Sequence, residues 1–367
     1  MQVIHQCSMT GIQVMLVSGL GRERDLAEQE VLDAGVPLEL CHRAVWSSKL
    51  SYWESWFLLV RDACGRARAG VALELVRVRA VPGHLILRVA RFGGNLPADV
   101  CTAALTAIAG LARSTPRVLR VQLNLFSRTG REAMADCLNG LGFRKVLPSS
   151  AYRYTLAIDL KPGEDEIFAS LGQRARRAIR ASSKKSLRSI SITDPVYADR
   201  IRQLQHEALQ RTGGHADSKN WSTILRISQE RPDLSCVSGL FQGENSAPEN
   251  MLAFAWACHN GDHAEYHAAG STRSAEARVP LGYLPMWETI RWAKVNGAEW
   301  FDMGGVTLGA NDETALNGIS EFKESFSQEV VEVGAEWELE LQPVRARFVT
   351  LATSGAGLMR ELVAKFV

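Results

Sequence analysis

The spacing of hydrophobic positions in the first half of the chain is typical of alternating strands and helices. Segment 85–91 is apolar and segment 118–125 alternates apolar with polar residues, so both are predicted strands. Between them, segment 97–113 is rich in Ala and Leu at the spacing of an amphipathic helix. A helix over 131–141 and a strand over 143–147 follow. This order predicts an α/β unit.

The second half of the chain repeats the order. Two apolar segments, 251–258 and 263–269, flank Asn260-Gly261, a dipeptide that favours a tight hairpin turn. A helix over 281–296 and a strand over 299–303 complete the repeat. Corresponding elements in the two halves predict a duplicated α/β fold.

The length of 367 residues also favours two domains, because a single core rarely grows past about 250 to 300 residues. We place the boundary near Leu160. The predicted strand 152–158 ends just before it, and Pro162-Gly163 is followed by an acidic helix start. The expected domains are residues 1–160 and 161–367.

The composition argues against several classes of protein. The seven cysteines are odd in number, scattered and without a Cys-x-x-Cys pair, which argues against a disulfide framework and a zinc site. No apolar run reaches the roughly 18 residues of a membrane-spanning helix. Segment 12–17 is short and lacks the basic flank of a signal peptide, so it is a predicted strand. We therefore expect a cytoplasmic protein with access to the inner face of the membrane.

Segment 173–188 is strongly basic, with seven basic residues and no acidic one. On a helix, four of them would share one face: Arg177, Arg180, Lys184 and Arg188. A face of one charge sign repels itself unless an anion offsets it, and RNA phosphates would do so. The alternative is an ordinary solvated helix face.

Three histidines recur at intervals of four residues: His259, His263 and His267. This spacing binds metal on a helix, but the predicted hairpin turn at Asn260-Gly261 separates the side chains. We therefore predict no metal site, and expect chemistry that needs neither a metal nor a thiol.

Residues 266–326 contain several linked motifs. In order, they are a strand ending in Gly270-Ser271, a helix led by Pro280 with a central Trp287, the turn Asp302-Met303-Gly304-Gly305, and Phe322-Lys323 followed by Phe326. This order and spacing resembles the carboxy-terminal half of the Fem family of aminoacyl-tRNA-dependent peptidyltransferases. Upstream, segment 154–160 followed by 177–180 is similar to the start of the second domain in that family. The resemblance covers residues 150–330 well and the first 150 residues in outline.

The resemblance implies two tandem domains folded like GNAT-type acetyltransferases, each a mixed, mostly antiparallel sheet flanked by helices. It implies transfer of an amino acid from aminoacyl-tRNA to an amine of a peptidoglycan precursor, or of a related cell-envelope or small-molecule acceptor. Aminoacyl-tRNA would be the co-substrate, and no other cofactor is expected. The basic face of segment 173–188 would then contact the tRNA.

The resemblance also implies roles for individual residues. Lys323, beside Phe322, matches the lysine that the family uses in peptidyl transfer. Arg211 matches a basic residue that binds the phosphates of the acceptor, and Lys49 resembles a second phosphate-binding lysine. We therefore expect Lys323 and Phe322 at the reaction centre, with Arg211 and Lys49 on the acceptor.

The chemistry of these residues agrees with the resemblance. An aminoacyl ester is already activated, so its transfer needs positioning and stabilisation of an oxyanion rather than a Ser or Cys nucleophile. The Lys323 ammonium could stabilise this oxyanion or the terminal tRNA phosphates, the alternative being an ordinary surface lysine. Asp302 is either the base that deprotonates the amine or a turn residue whose carboxylate accepts from backbone N–H groups.

Four further residues of the motif region are candidates for substrate binding: Tyr266, Ser271, Tyr283 and Trp287. Ser271 either touches the substrate or caps the following helix. Trp287 faces either a cleft or the core, and the core is the usual place for a helical Trp.

Two other functions are compatible with parts of the sequence. A GNAT-type acyltransferase that uses acyl-CoA would share the fold, but it needs a glycine-rich pyrophosphate loop before its helix. Segment 271–280 contains no glycine, and Gly93-Gly94 in the first half is only a short pair. A non-catalytic RNA-binding module would use the basic segment but leave Phe322-Lys323 without a purpose.

Overall fold

The computed structural model describes most of the chain, namely residues 1–7, 10–47, 54–78, 82–94, 96–147, 149, 152–212, 219–273, 279–306 and 317–342. These residues form two compact units. Unit 1 contains the described residues up to Ser149 and those from Val333 to Gln342, and unit 2 spans Tyr152–Glu332. None of the described helices is long and apolar enough to cross a membrane.

Strands and helices alternate along both units. The described strands are, in chain order, β1 (Gln2–Gln6), β2 (Gln13–Ser18), β3 (Glu54–Arg61), β4 (Ala67–Arg77), β5 (Leu85–Gly93), β6 (Val118–Phe126), β7 (Arg144–Lys145), β8 (Tyr154–Asp159), β9 (Leu187–Ser191), β10 (Ser235–Gln242), β11 (Ala253–His259), β12 (His263–Ser271), β13 (Trp300–Val306), β14 (Glu329–Glu332) and β15 (Gly334–Glu340). The described α-helices are α1 (Arg22–Asp33), α2 (Ala44–Ser47), α3 (Ala98–Ser114), α4 (Arg131–Gly140), α5 (Glu164–Ser170), α6 (Gln173–Lys184), α7 (Ala198–Thr212), α8 (Trp221–Glu230), α9 (Tyr283–Val295) and α10 (Asn317–Glu324).

Hydrophobic spacing predicted most of these elements to within a few residues. In unit 1, the predicted strands 85–91 and 118–125 are β5 and β6, and the predicted helix 97–113 is α3. In unit 2, the predicted hairpin is β11 and β12, and the predicted helix 281–296 is α9. The predicted α/β fold with two mixed, mostly antiparallel sheets is confirmed.

The predicted helix over 173–188 is too long. α6 ends at Lys184, and Ser186 takes a positive φ of 53° before the chain enters β9. Leu187 is buried in the core of unit 2 and pairs with Gln242 of β10. Pairing with a distant strand overrides the local helical pattern, and it places Arg188 on β9 rather than on the helix.

Unit 1 is built on a sheet with the strand order β1-β2-β3-β4-β5-β6-β15-β7. In this sheet β5 and β6 run parallel, and the other described pairs are antiparallel. The long apolar face of α3 supplies Leu105 and Ile108 to the same core as Leu87 of β5 and Leu123 of β6. A helix joining two parallel strands is the expected crossover in a mixed sheet.

Unit 2 is built on a sheet with the strand order β14-β8-β13-β12-β11-β10-β9. The parallel pair is β12 and β13, which α9 connects. Met286 and Ile290 of α9 pack in one core with Phe301 of β13 and Ala255 of β11. The same arrangement of a parallel pair and its crossover helix therefore occurs in both units.

The parallel pairs of the two units differ at their carboxyl ends. In unit 2, pairing stops at Glu265 opposite Asp302, although β12 continues to Ser271 and β13 to Val306. In unit 1, β5 and β6 stay paired to Gly93 opposite Phe126, the last residue of each strand. The strands of unit 2 therefore separate into an open V.

The predicted domain ranges 1–160 and 161–367 divide the strands differently from the structure. β8 belongs to the sheet of unit 2, where it lies between β14 and β13, and β15 belongs to the sheet of unit 1. Trp337 and Leu339 of β15 are buried in the core of unit 1. Pairing of β15 with β6 joins residues far apart in the chain, so the local hydrophobic pattern could not predict it.

Candidate functional site

A cavity of about 840 Å³ opens where β12 separates from β13. It is lined by residues of β12, of the carboxyl-terminal part of α7, of the first turn of α9, and by Phe322 of α10. Gly270 permits this packing, because a Cβ at that position would lie 2.7 Å from the backbone of Leu204 and Gln205 on α7. The glycine of the Gly270-Ser271 motif therefore lets α7 form one wall of the cavity.

The cavity is electropositive. Its lining includes four cationic side chains and, within the described part of the chain, no Asp or Glu; the cations are Arg174, Arg211, Lys219 and Arg273. Arg211 is an exposed residue of the lining, and its guanidinium donates to the Ser271 carbonyl oxygen at 2.7 Å. Clustered cations of one sign attract anionic ligands such as phosphates.

Lys323 is buried beside the cavity, with 6% of its surface exposed. Its Nζ donates to the Gly305 carbonyl oxygen at 2.6 Å and lies 5.6 Å from the centre of the Tyr266 ring, which lines the cavity. The alternative of an ordinary surface lysine is therefore wrong. Gly304 has a positive φ of 73°, and a Cβ there would lie 3.3 Å from Nζ, so the glycine leaves room for the ammonium.

Burial changes the acidity of Lys323. Removal from water lowers its pKa from 10.5 to about 8, against the opposing effect of the nearby carboxylates of Asp302 and Glu265. The lysine is still mainly an ammonium at neutral pH, but it is much closer to losing its proton than an exposed lysine.

Asp302 is fully buried on β13 and is held by three groups. Its Oδ1 accepts from the Gly304 N–H at 2.7 Å and from the Thr155 hydroxyl, and its Oδ2 accepts from the Tyr152 hydroxyl at 2.9 Å. These contacts support the turn-fixing interpretation. They argue against Asp302 as the base that meets the amine directly, because the carboxylate has no surface on the cavity.

Sequence reasoning missed the residues that surround Asp302. Glu265 lies directly opposite it on β12, is buried, and its Oε1 lies 2.8 Å from the same Tyr152 hydroxyl. Gly305 accommodates Tyr152, since a Cβ at Gly305 would lie 2.4 Å from Cβ of that tyrosine. An acidic residue within the apolar strand β12 was the one available signal, because a buried carboxylate requires partners.

Three aromatic rings form a wall at the start of α9. Tyr283 stacks on Phe326 at 5.5 Å between ring centres and meets Phe322 edge-on at 5.0 Å. Phe322 and Tyr283 line the cavity, as their predicted roles require. The Phe322 ring also covers Gly282, the residue that precedes α9, at 3.6 Å from the position of a Cβ.

Trp287 and Ser271, both predicted to bind substrate, lie in different surroundings. Trp287 is buried in the core of unit 2, with its ring edge-on to Phe168 at 5.2 Å, and it does not line the cavity. Of the two alternatives for Trp287, the structure has the core position. Ser271 does line the cavity, and the capping alternative fails because Gly282 precedes the first residue of α9.

The basic face predicted for tRNA is shorter than expected. Arg177, Arg180 and Lys184 are exposed on α6, whereas Arg188 on β9 donates to the Gly243 carbonyl oxygen at 2.7 Å. α6 begins next to the Phe322-Lys323 segment, because the Gly172 N–H donates to the Ser325 carbonyl oxygen at 2.9 Å.

Two further predictions concern histidines and Lys49. Within the described residues no group of three or more His, Cys, Asp or Glu side chains is placed to hold a metal ion. His263 pairs with Asp262 at 2.7 Å, and His267 stacks on Trp256. Lys49, predicted to bind phosphate, lies outside the described residues.

Comparisons with known proteins agree with this architecture. Residues 198–354 match the model of the FemAB family. A solved structure of FemX is similar over 88% of this chain and 97% of its own, with a TM-score of 0.70 and 14% identity. The structure of L-PGS from Bacillus licheniformis is similar over 93% of this chain and 97% of its own, with a TM-score of 0.52 and 15% identity. No curated protein matches the sequence.

The predicted resemblance to the Fem family is thereby confirmed over residues 198–354, and the structure of FemX has the same fold over most of the chain. The match to the FemAB family over residues 198–354 supports an enzyme of the transferase class.

Proposed function

We propose that this Fem-like transferase moves an amino acid from aminoacyl-tRNA to an amine of a peptidoglycan precursor, or of a related cell-envelope or small-molecule acceptor. The observation that carries the proposal is the buried Lys323 ammonium beside an electropositive cavity. The cavity could hold an anionic acceptor while the ammonium serves the reaction centre.

The role of Lys323 follows from the reaction. When the acceptor amine attacks the ester carbonyl carbon, the carbonyl oxygen becomes an oxyanion, and the bond to the ribose oxygen then breaks. A cation held in a water-poor site stabilises such an oxyanion far more strongly than one in bulk water. Lys323 is held in this way by Gly305 and by the ring of Tyr266.

The acceptor is expected to carry phosphate. Arg211 and Lys219 of the cavity present positive charge without a competing carboxylate among the described lining residues. Peptidoglycan precursors carry their growing peptide on a diphosphate-linked sugar, so both the amine and the anion would be present in one molecule. The hydrogen bond to the Ser271 carbonyl oxygen holds Arg211 in the lining of the cavity.

The surface of α6 favours tRNA as the donor. Arg177, Arg180 and Lys184 are exposed there, and the amino end of α6 contacts Ser325, two residues from Lys323. Phosphates bound along α6 would bring an acceptor stem close to the segment that carries the ammonium.

Acyl-CoA is the alternative donor. A coenzyme A pyrophosphate would need backbone N–H groups at the start of α9. In this chain the Phe322 ring covers Gly282 at that point, and segment 271–280 contains no glycine. Both features favour aminoacyl-tRNA over the coenzyme.

The deciding experiment offers both donors to the same protein. Radiolabelled aminoacyl-tRNAs are incubated with the chain and a mixture of nucleotide-linked peptidoglycan precursors, in parallel with labelled acetyl-CoA. We expect label to move from tRNA to the precursor amine. Label moving from acetyl-CoA alone would overturn the proposal in favour of the acyl-CoA alternative.

A further inference from the structure

Four polar side chains make a continuous line from the cavity into the sheet of unit 2. His267 lines the cavity, and its Nε2 lies 3.3 Å from Oε2 of Glu265. Oε1 of Glu265 lies 2.8 Å from the Tyr152 hydroxyl, which lies 2.9 Å from Oδ2 of Asp302. The line therefore joins an accessible imidazole to a carboxylate that solvent does not reach.

The Tyr152 hydroxyl has one hydrogen but two carboxyl neighbours at hydrogen-bond distance. If both carboxyl groups were ionised, one of these short contacts would join two acceptors. Two buried carboxylates that share a site also repel each other, which favours a proton on one of them. Asp302 accepts in addition from the Gly304 N–H, which stabilises its ionised form, so the arrangement proposed below places the shared proton on Glu265.

The hydrogens can then be arranged in one direction along the line. The His267 Nε2–H faces Glu265, the Glu265 Oε1–H donates to Tyr152, and the Tyr152 O–H donates to Asp302. The contact of His267 with Glu265 is close but is not aligned as a hydrogen bond. In this arrangement the second ring nitrogen of His267, Nδ1, is the atom that accepts a proton.

We propose that these side chains form a proton-transfer chain that takes the proton of the acceptor ammonium out of the cavity: His267, Glu265, Tyr152 and Asp302. This role rests on the proposed function, because transfer to an amine must release a proton. It makes His267 the base at the substrate and the other three residues positioning and relay groups.

The protons balance as follows. The acceptor ammonium gives one proton to Nδ1 of His267, and each group along the chain passes its own hydrogen to the next, ending on Asp302. The freed amine attacks the ester carbon, and the attacking nitrogen loses a second proton to the departing ribose oxygen. When the first proton is released to solvent, the four side chains return to their starting protonation states. The reaction therefore produces one amide, one alcohol and one proton.

Charges nearby act on the proton-transfer chain. Lys323 of α10 is close enough to Asp302 and Glu265 to be influenced by both, so its ammonium keeps Asp302 ionised and able to accept the last proton. Tyr266, between Glu265 and His267 on β12, is partly buried, and desolvation raises its pKa to about 12, so it stays neutral. The same cavity is lined by cations from other elements, namely Arg174 of α6, Arg211 of α7, Lys219 and Arg273, and Arg174 pairs with Glu321 of α10 at 3.5 Å.

The first test needs no substrate and therefore stays informative if the proposed function fails. Infrared spectra at neutral pH would be compared between the native protein and the Glu265→Gln and Tyr152→Phe variants. We expect a carbonyl band of a protonated carboxyl group that disappears in Glu265→Gln. Absence of this band in the native protein, or its persistence in Glu265→Gln, would overturn the proposal. If Glu265→Gln does not fold, the Tyr152→Phe variant replaces it, because that substitution removes only a hydroxyl. A carbonyl band that is unchanged in Tyr152→Phe would also count against the proton-transfer chain.

The second test measures transfer against pH in His267→Gln, with His206→Gln on the exposed surface of α7 as the matched control. Loss of a base lowers kcat on the order of 100-fold at neutral pH, with KM for the acceptor nearly unchanged. The deficit should shrink as pH rises towards about 8, since solvent then supplies the free amine. An equal loss at every pH would mean that His267 has only a packing role on Trp256, and would refute the assignment.

Discussion

The Lys323 ammonium donates to the carbonyl oxygen of Gly305 at 2.6 Å and so ties α10 to the turn that ends β13. This hydrogen bond brings together two motifs that are separated along the chain, Phe322-Lys323 and Gly304-Gly305. It also fixes the position of a buried charge, which an oxyanion-stabilising group requires. The predictions below follow from this contact and from the charged surfaces near it.

Replacing Lys323 tests the reaction centre directly. Lys323→Ala is expected to lower transfer about 100-fold, because the oxyanion loses its buried cation. The matched control is Lys294→Ala, which removes a lysine of α9 that donates to the Leu160 carbonyl oxygen at 2.9 Å, away from the cavity. Single-turnover rates and melting curves of both variants would be compared. Unchanged turnover in Lys323→Ala would remove the residue from the mechanism.

The activity should fall in alkaline solution. Burial lowers the pKa of Lys323 to about 8, so the ammonium loses its proton as the pH rises through that value. Below it the cation is present, and above it the site is neutral and cannot stabilise the oxyanion. We expect kcat to decline above about pH 8, well below the usual lysine range. A rate constant that stays level to pH 10 would contradict this prediction.

Substitution of Gly304 tests whether activity depends on the space left for the Lys323 ammonium. Gly304→Ala places a side chain at a φ of 73° and 3.3 Å from Nζ of Lys323. Gly243→Ala is the control, because it has a similar φ of 69° with nothing within 4 Å of the new Cβ. Both should lose roughly 1–2 kcal/mol of unfolding free energy from backbone strain. Gly304→Ala should also lower kcat, and equal activity of the two variants would argue against tight positioning of the lysine.

Arg211 tests recognition of the acceptor. Arg211→Ala should raise KM for a phosphate-bearing acceptor about 10-fold, the effect expected for a lost hydrogen bond to a charged group. kcat should change little, because Arg211 is an exposed residue of the cavity lining, at Ser271. Arg202→Ala, on the same helix and paired with Asp199, provides the control. A lower kcat with an unchanged KM would place Arg211 in another role.

Substitutions on the basic surface of α6 test whether aminoacyl-tRNA binds there. Arg180→Gln should raise KM for aminoacyl-tRNA severalfold and reduce its dependence on salt, because one phosphate contact is lost. Arg226→Gln removes an exposed arginine of α8 and should leave both quantities unchanged. Titrations at two or more salt concentrations would separate the variants. Identical salt dependence in the two would assign α6 to the solvated surface.

Much of the site was predictable because its motifs are local. Gly304-Gly305 and Phe322-Lys323 are short segments, and the positive φ of Gly304 is a requirement that only glycine meets easily. Trp287 was less predictable, since a Trp on a helix can face a cleft or a core and only packing against Phe168 decides between them.

The sequence by itself determined the alternation of strands and helices, the hairpin at Asn260-Gly261, and the motif order that carries the family resemblance, because these depend on neighbours within a few positions. Only the tertiary structure decided that β15 completes the sheet of unit 1, that Arg188 leaves the basic helix, and that Glu265 faces Asp302 through Tyr152. Such contacts join residues far apart in the chain, and their free energy depends on burial that no short segment reveals.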